Sequence, residues 1–114
     1  MITQGSALPS SRQEKVANLI KELSASFLAK ENNKTSLITI TASTVSPDLK
    51  RATIFMTVLP TTKEKPALEF VKRKLGDIRE YLKKNMTTKT VPFLEVALDL
   101  GEKNRQKIDE LLKN

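Results

Sequence analysis

Apolar residues recur along this chain at two spacings, which predict helices and strands in a definite order. Steps of three and four predict helical segments over residues 11–30 and 66–86. Alternation of apolar and polar residues, many of them β-branched, predicts strands over residues 36–43, 52–59 and 93–98. The positions expected to face a shared core are Val16, Ile20, Leu23, Phe27, Ile38, Ile40, Ala42, Ala52, Ile54, Met56, Val58, Leu68, Val71, Leu75, Ile78, Leu82, Leu94, Val96 and Leu98. Each element therefore offers one apolar face to a two-layer core.

Polar residues at the ends of these segments predict how they start and how they connect. Ser11 with Glu14 fits a capping box for the first helix, and Thr61 with Glu64 fits another ahead of the central segment. Asp48 lies in the polar stretch between the first two strands, where we expect it to accept hydrogen bonds within a turn. The first two strands are therefore predicted to form an antiparallel hairpin with a longer loop.

A single glycine, Gly76, lies near the middle of the central helical segment. Glycine in a helix interior costs about 1 kcal/mol relative to alanine, so we expect a kink or break there that gives two helices. The helical crossover between the second and third strands makes those strands parallel. The predicted fold class is α+β, a mixed three-stranded sheet covered on one face by helices.

The length of 114 residues favours one domain with its own core. We expect the domain over residues 11–100, a flexible tail over residues 1–10, and a C-terminal helix or extension over residues 101–114. Asp99 with Glu102 fits the cap of that last helix, and Asp99 is better explained as a cap than as a metal ligand. The chain contains neither a membrane-length apolar run nor a signal-peptide pattern, so we expect a cytoplasmic protein with no membrane partner.

Cysteine and histidine are both absent, which excludes disulfides, thiol nucleophiles, the usual zinc sites and histidine acid–base chemistry. Carboxylates such as Glu14, Glu69 and Asp99 have no partners at a recognisable catalytic spacing. We therefore expect no enzyme activity, no cofactor, no metal and no small-molecule substrate.

Basic residues are concentrated in one fifth of the chain. The sequence has 20 Lys and Arg against 13 Asp and Glu, a net charge of +7, and residues 70–89 contain seven basic residues and two acidic ones. Lys72, Gly76, Arg79 and Lys83 fall within an arc of roughly 60° on an ideal helix. A phosphate could approach the bare backbone at the glycine, and exposed amides at a helix break could bind it. The alternative is a solvated lysine-rich face in which the glycine only relieves bending.

The predicted element order is that of the type II KH fold, a single-strand nucleic-acid binder whose helix pair is joined by a G-x-x-G loop. No G-x-x-G occurs in this chain. Other stretches are Val45-Ser46-x-Asp48-Leu49-Lys50 followed by Ala52, then Gly76-x-Ile78-Arg79, Val91-Pro92-x-Leu94 and Asp99. In that order and spacing they make the chain, over residues 12–112, resemble the bacterial ribosome-binding factor A family, in which the loop is reduced to an A-x-G kink. Here the kink reads Lys74-Leu75-Gly76, so only the glycine matches.

The resemblance implies a cytoplasmic, non-enzymatic factor that binds the free small ribosomal subunit and assists late maturation, including 5′-end processing of small-subunit rRNA. In many bacteria the family is linked to growth in the cold. We expect a monomer whose rRNA contacts come mainly from Lys72, Arg73, Lys74, Gly76, Arg79, Lys83 and Lys84, with Lys50 and Arg51 on the hairpin as secondary contacts. Two alternatives stay open: a general KH-type single-stranded RNA or DNA-binding protein, and a protein-interaction module with a basic surface.

Aromatic residues are few, with four Phe, one Tyr and no Trp. Phe55 lies on the face of its strand opposite Ile54 and Met56, where it could stack a base or pack under the C-terminal helix or a loop. The low aromatic content favours recognition through backbone and shape contacts over recognition by stacking.

Overall fold

The fold is seen in a computed structural model that describes residues 11–31, 36–87 and 90–101. Its elements, in chain order, are α1 (Ser11–Glu31), β1 (Leu37–Val45), β2 (Arg51–Leu59), one turn of 3-10 helix (Thr61–Lys63), α2 (Glu64–Asn85) and β3 (Phe93–Leu98). The tail predicted over residues 1–10 lies outside the described residues. So does all but the first residue of the extension predicted over residues 101–114.

The three strands form one mixed sheet in the order β1-β2-β3. β1 pairs with β2 antiparallel, and β2 pairs with β3 parallel because α2 carries the chain back to the start of the sheet. The α+β class, the hairpin and the parallel pair are thereby confirmed. Within the described ranges, neither helix is long and apolar enough to cross a membrane.

The core lies between one face of the sheet and the two helices. α1 packs chiefly on β1, and α2 packs chiefly on β3. The fully buried hydrophobic side chains of the core include Ile20 from α1, Ile54 and Met56 from β2, and Ile78 and Leu82 from α2. Burial of each such side chain contributes about 1.5–3 kcal/mol, so this layer of contacts supplies most of the driving force for the fold.

A β-bulge in β1 changes which side chains face the core. The pairing register with β2 shifts between Ile40 and Ala42. Ala42 therefore pairs with Phe55 on the face away from the helices, and the prediction that it faces the core is wrong. Ser43 instead pairs with the core residue Ile54. One extra residue in a strand reverses the alternation of faces beyond it, which composition alone does not reveal.

α2 is a single helix that runs through Gly76, so the predicted break into two helices is wrong. Val71 on one side of the glycine and Ile78 and Leu82 on the other are all fully buried against the same core. Their combined burial outweighs the cost of about 1 kcal/mol for one interior glycine. Continuation of the helix through Gly76 is therefore the more stable arrangement.

The start of α2 also differs from the predicted capping box. Thr61 belongs to the 3-10 turn that precedes the helix, and the residue that caps this turn is Pro60. Neither the 3-10 turn nor α2 has a side-chain hydrogen bond at its N-cap. Pro66 lies in the first turn of α2, where its missing N–H costs no helical hydrogen bond.

Candidate nucleic-acid interface

α2 has a different neighbour on each of its two sides, and α1 occupies one of them. Lys74 Nζ lies 3.1 Å from Glu31 Oε1 at the end of α1. The hydroxyl oxygens of Tyr81 and Ser26 lie 3.3 Å apart along the same contact. Lys74 is therefore directed at α1 with its charge paired. Lys74, which stands where the A-x-G kink implied by the resemblance would have alanine, neither breaks the helix nor joins the basic residues on the other side.

Arg79 occupies the opposite side of α2, facing the segment that leads into β3. Its Nη2 donates to the carbonyl of Val91 at 3.0 Å, and its Nε donates to the carbonyl of Pro92 at 3.3 Å. The guanidinium is half-buried, and its planar fork suits two neighbouring carbonyl acceptors. Arg79 thus joins α2 to the start of β3.

The hairpin loop reaches the start of β3 from the other direction. The amide of Phe93 donates to the carbonyl of Lys50 at 2.8 Å, and Arg51 pairs with Phe93 in the β2–β3 register. Lys50 and Arg51 therefore lie beside the same short segment that Arg79 holds. Basic residues from two distant parts of the chain, Arg79 on α2 and the hairpin pair, therefore adjoin the start of β3.

We use the name basic surface for the basic residues of α2 and of the hairpin on the two sides of this segment, together with Gly76. It consists of Lys50, Arg51, Lys72, Gly76, Arg79 and Lys83. All except Arg79 are exposed. Lys83 Nζ lies 3.2 Å from Glu80 Oε2, but an exposed ion pair of this kind contributes only about 0–1 kcal/mol and yields readily to a stronger anion.

Arg73 and Lys84 are exposed on α2 as well, but they lie further around the helix than the basic surface. On an ideal helix they lie roughly 60° to 100° further around than Gly76 and Lys83. The seven α2 residues predicted to bind RNA therefore fall into three groups: the basic surface, the outer pair, and Lys74 toward α1. Whether each contacts RNA stays a prediction.

The hairpin loop that carries Lys50 is held by its own polar groups. Ser46 Oγ donates to Asp48 Oδ1 at 2.6 Å, and the amide of Lys50 donates to the same oxygen at 3.0 Å. The amide of Arg51 donates to Ser46 Oγ at 3.1 Å. Donation from Ser46, and then from the Lys50 amide, lowers the pKa of Asp48. The predicted role of Asp48 as a turn acceptor is confirmed, and its bonds fix where the two basic residues stand.

Gly76 leaves an open patch of helix backbone on the basic surface. A Cβ built at this position would meet no atom within 4 Å, and its φ is not positive. The fold therefore does not require glycine here. Because α2 is unbroken, its amides are used within the helix, so the predicted binding of phosphate by amides at a helix break has no geometric basis. Close approach of a ligand to the bare backbone stays possible.

Phe93 was not among the predicted site residues, yet it lies beside Lys50 and Arg51, on the face of the sheet away from the helices. Its side chain is 62% exposed, between the buried residues Pro92 and Leu94. The signal available in the sequence was an aromatic residue on the strand face opposite the predicted core residue Leu94. Phe55, the aromatic that the sequence did single out, is half-buried in the middle of the same sheet face.

The fold has helices on one face of a mixed three-stranded sheet, and basic side chains lie beside the parallel pair of strands. These two features define a KH-like module with a cationic surface. The family model described as ribosome-binding factor A matches residues 12–112. The chain belongs to the ribosome-binding factor A family.

Individual relatives agree with this assignment. A ribosome-binding factor A of Coxiella burnetii is 33% identical over 106 residues, which cover 91% of this chain and 89% of that protein. One of Geobacter metallireducens is 32% identical over 105 residues, 90% of this chain and 89% of that protein. The crystal structure of ribosome-binding factor A from Thermus thermophilus superposes with a TM-score of 0.66 at 19% identity, covering 75% of this chain and 94% of that one. That likeness supports the KH-like fold.

Proposed function

We propose that this protein is a cytoplasmic, monomeric and non-enzymatic factor that binds the rRNA of the free small ribosomal subunit and assists its late maturation, including processing of the rRNA 5′ end. Membership of the ribosome-binding factor A family supports the ribosomal partner. One observation carries the choice of surface: Arg79 bonds the carbonyls of Val91 and Pro92. Through that link, the start of β3 lies between α2, which carries Lys72 and Lys83, and the hairpin, which carries Lys50 and Arg51.

The residues of this surface have two different tasks. Lys72 and Lys83 on α2, with Lys50 and Arg51 at the hairpin, are exposed and provide positive charge for phosphate groups. Arg79 acts mainly by positioning, because two of its N–H groups are used by backbone carbonyls. Removing the lysines should weaken binding and leave the stability of the fold unchanged. Removing the arginine should weaken binding and also lower that stability.

Phosphate contacts make the affinity depend on salt. Each phosphate that a lysine or arginine neutralises releases counterions, so the logarithm of the binding constant falls linearly with the logarithm of the salt concentration, with a slope of roughly −0.7 to −0.9 per contact. A surface with four exposed cations should therefore lose much of its affinity over a modest rise in salt. Loss of two lysines should make that slope shallower.

Co-sedimentation with purified small subunits at several salt concentrations tests the proposal. The double variant Lys72→Glu/Lys83→Glu should bind much more weakly than the parent and with a shallower salt dependence. The matched control is Lys15→Glu/Lys21→Glu, which makes the same change in net charge on α1, the helix that packs on β1. Equal loss in both variants would mean that overall charge, and not the basic surface, governs binding. Full binding by the α2 variant would exclude this surface.

Competition separates the proposal from its alternatives. A general single-strand binder without ribosomal specificity would leave the subunits when short single-stranded oligonucleotides are added in excess. A protein-interaction module would bind subunits with little salt dependence and would bind no RNA. Retention on subunits in the presence of the oligonucleotides, together with release by salt, is the result expected here.

A further inference from the structure

Phe93 is an exposed aromatic side chain on a rigid stretch of backbone. The residue before it, Pro92, is fully buried, and the residue after it, Leu94, is 4% exposed. Its own amide donates to the carbonyl of Lys50, and the carbonyl of Pro92 accepts from Arg79. The ring is therefore exposed to solvent, while the backbone around Phe93 is fixed by its buried neighbours and by hydrogen bonds to the hairpin and to α2. A ligand that binds this ring gains contact area at a low cost in ordering the protein.

The neighbour of Phe93 on the same face of the sheet is a cation. Arg51 pairs with Phe93 in the parallel register, and neighbouring strands lie about 4.8 Å apart, so the two side chains start side by side. Both are exposed. An aromatic ring beside a guanidinium offers two flat surfaces, one apolar and one charged, and both pack well on the face of a nucleobase.

The position of Phe93 distinguishes it from other exposed apolar residues. Leu37 and Leu59 are similarly exposed, but they pair with each other at the far end of the sheet. Leu59 is eight residues along β2 from Arg51, a distance of about 26 Å at the usual rise of a strand. Single exposed apolar residues are ordinary on protein surfaces. Phe93 is different because two basic residues of the hairpin adjoin it: Arg51 is its neighbour on the same face of the sheet, and the carbonyl of Lys50 accepts from its amide.

We propose that Phe93 and Arg51 form a stacking site for one unpaired nucleobase of the bound RNA. The proposal rests on the proposed function, since the basic surface must first hold the phosphates of that RNA. The Phe93 ring stacks on the base, and the Arg51 guanidinium contacts the same base or its phosphate. Base–aromatic stacking of this kind changes affinity by about 5- to 150-fold when the aromatic residue is truncated.

The affinity of Phe93 variants for free small subunits tests this site. Phe93→Ala and Phe93→Leu should both bind about 5- to 150-fold more weakly than the parent, and Phe93→Tyr should keep most of the affinity. The slope of affinity against salt should be the same in all of them, because no phosphate contact is lost. Leu59→Ala is the matched control on the same sheet face, with 60% exposure against 62% for Phe93, and it should bind like the parent.

Heparin provides a polyanion without bases. Phe93→Ala should leave a heparin column at the same salt concentration as the parent, whereas Lys72→Glu/Lys83→Glu should leave earlier. Because Phe93 is exposed, each variant is expected to fold, and its thermal unfolding midpoint checks this directly.

The results separate the stacking site from the proposed function. If the lysine variant loses binding while Phe93→Ala binds like the parent, the stacking site is overturned and the proposed function stands. Parental affinity in Phe93→Leu would overturn it too, since that result indicates a general apolar contact, as with a protein partner. If the parent itself fails to bind small subunits, the proposed function falls and the stacking site falls with it.

Discussion

The hydroxyl of Thr41 donates to Asp99 Oδ2 at 2.5 Å, joining the bulge of β1 to the end of β3 across the intervening strand. The amide of Asp99 donates in turn to the carbonyl of Met56 in β2, at 2.7 Å. Asp99 therefore bonds to both of the other strands. Its other oxygen accepts from the amide of Gly101 at 2.9 Å. The helix it was predicted to cap lies outside the described residues.

Thr41→Val should lower the free energy of unfolding by about 1.5 kcal/mol, because the carboxylate of Asp99 loses a charge-assisted hydrogen bond in a half-buried place. Urea unfolding measures the change. Thr39→Val, at an exposed position on the same strand, should stay within about 0.5 kcal/mol of the parent. A double-mutant cycle of Thr41→Val with Asp99→Ala should show clear coupling, and simple additivity would mean that the bond contributes nothing to stability.

Gly76→Ala should raise the free energy of unfolding by about 0.8–1 kcal/mol, because an added Cβ meets no atom and alanine is the better helix former. The same variant should bind small subunits more weakly if RNA approaches the bare backbone at this point. Thermal unfolding and co-sedimentation measure the two effects separately. Increased stability with unchanged binding would show that Gly76 is not a contact.

Gly101→Ala is the control for Gly76→Ala, and we expect it to change the free energy of unfolding in the opposite direction. Its φ is +96°, which L-residues with side chains rarely adopt, so this substitution should lower stability although the space around it is also open.

Arg79→Lys should lower the free energy of unfolding by about 1–2 kcal/mol, because a lysine ammonium cannot reproduce the planar fork that reaches both Val91 and Pro92 carbonyls. It should also weaken binding to small subunits, since the start of β3 is no longer held beside α2. Lys72→Ala should show the reverse pattern, with stability within about 0.5 kcal/mol of the parent and clear loss of binding. If Arg79→Lys leaves the free energy of unfolding unchanged, the two carbonyl bonds do not stabilise the fold and the positioning role of Arg79 is wrong.

The fold could be predicted from the sequence wherever periodicity and burial agree. The strand at residues 93–98 was predicted to the residue, and the first helix differs by one residue at its end. Besides the capping box at Thr61, two predictions failed, those for Ala42 and for a break at Gly76, because tertiary packing decided the outcome. The bulge before Ala42 adds one residue to a β-branched run without altering its composition. The continuity of α2 through Gly76 depends on a core that its two halves share.

The candidate site could be predicted in parts but not as an assembly. The charge of residues 70–89 and the hairpin residues Lys50 and Arg51 were visible in the sequence as separate groups. Their meeting at the start of β3 depends on contacts of Arg79 and of Phe93 with backbone carbonyls. Such contacts leave no periodic signal, since any carbonyl can accept. The pairing of Lys74 with Glu31 likewise joins residues far apart in the chain, so no periodic pattern predicts it.

The hairpin loop should contribute a pH-dependent component to stability through Asp48. Its carboxylate accepts from Ser46 Oγ and from the amide of Lys50, and these bonds lower its pKa below the ordinary value of 3.8. The folded state therefore favours the ionised form, and the resulting stabilisation is fully present at pH values above about 4, where the unfolded chain is ionised as well. It is lost as the pH falls through the lowered pKa of the folded state.

Asp48→Asn should therefore be less stable than the parent at pH 6, and the two unfolding curves should converge as the pH falls below about 4, where the parent carboxyl becomes protonated. Thermal unfolding at stepped pH measures this difference. Ser46→Ala removes the main cause of the shift and should bring the pKa of Asp48 back toward 3.8, which an NMR titration of the carboxyl carbon reads directly. If the difference in unfolding midpoint between the parent and Asp48→Asn stays constant down to pH 2, the charge of Asp48 does not stabilise the loop.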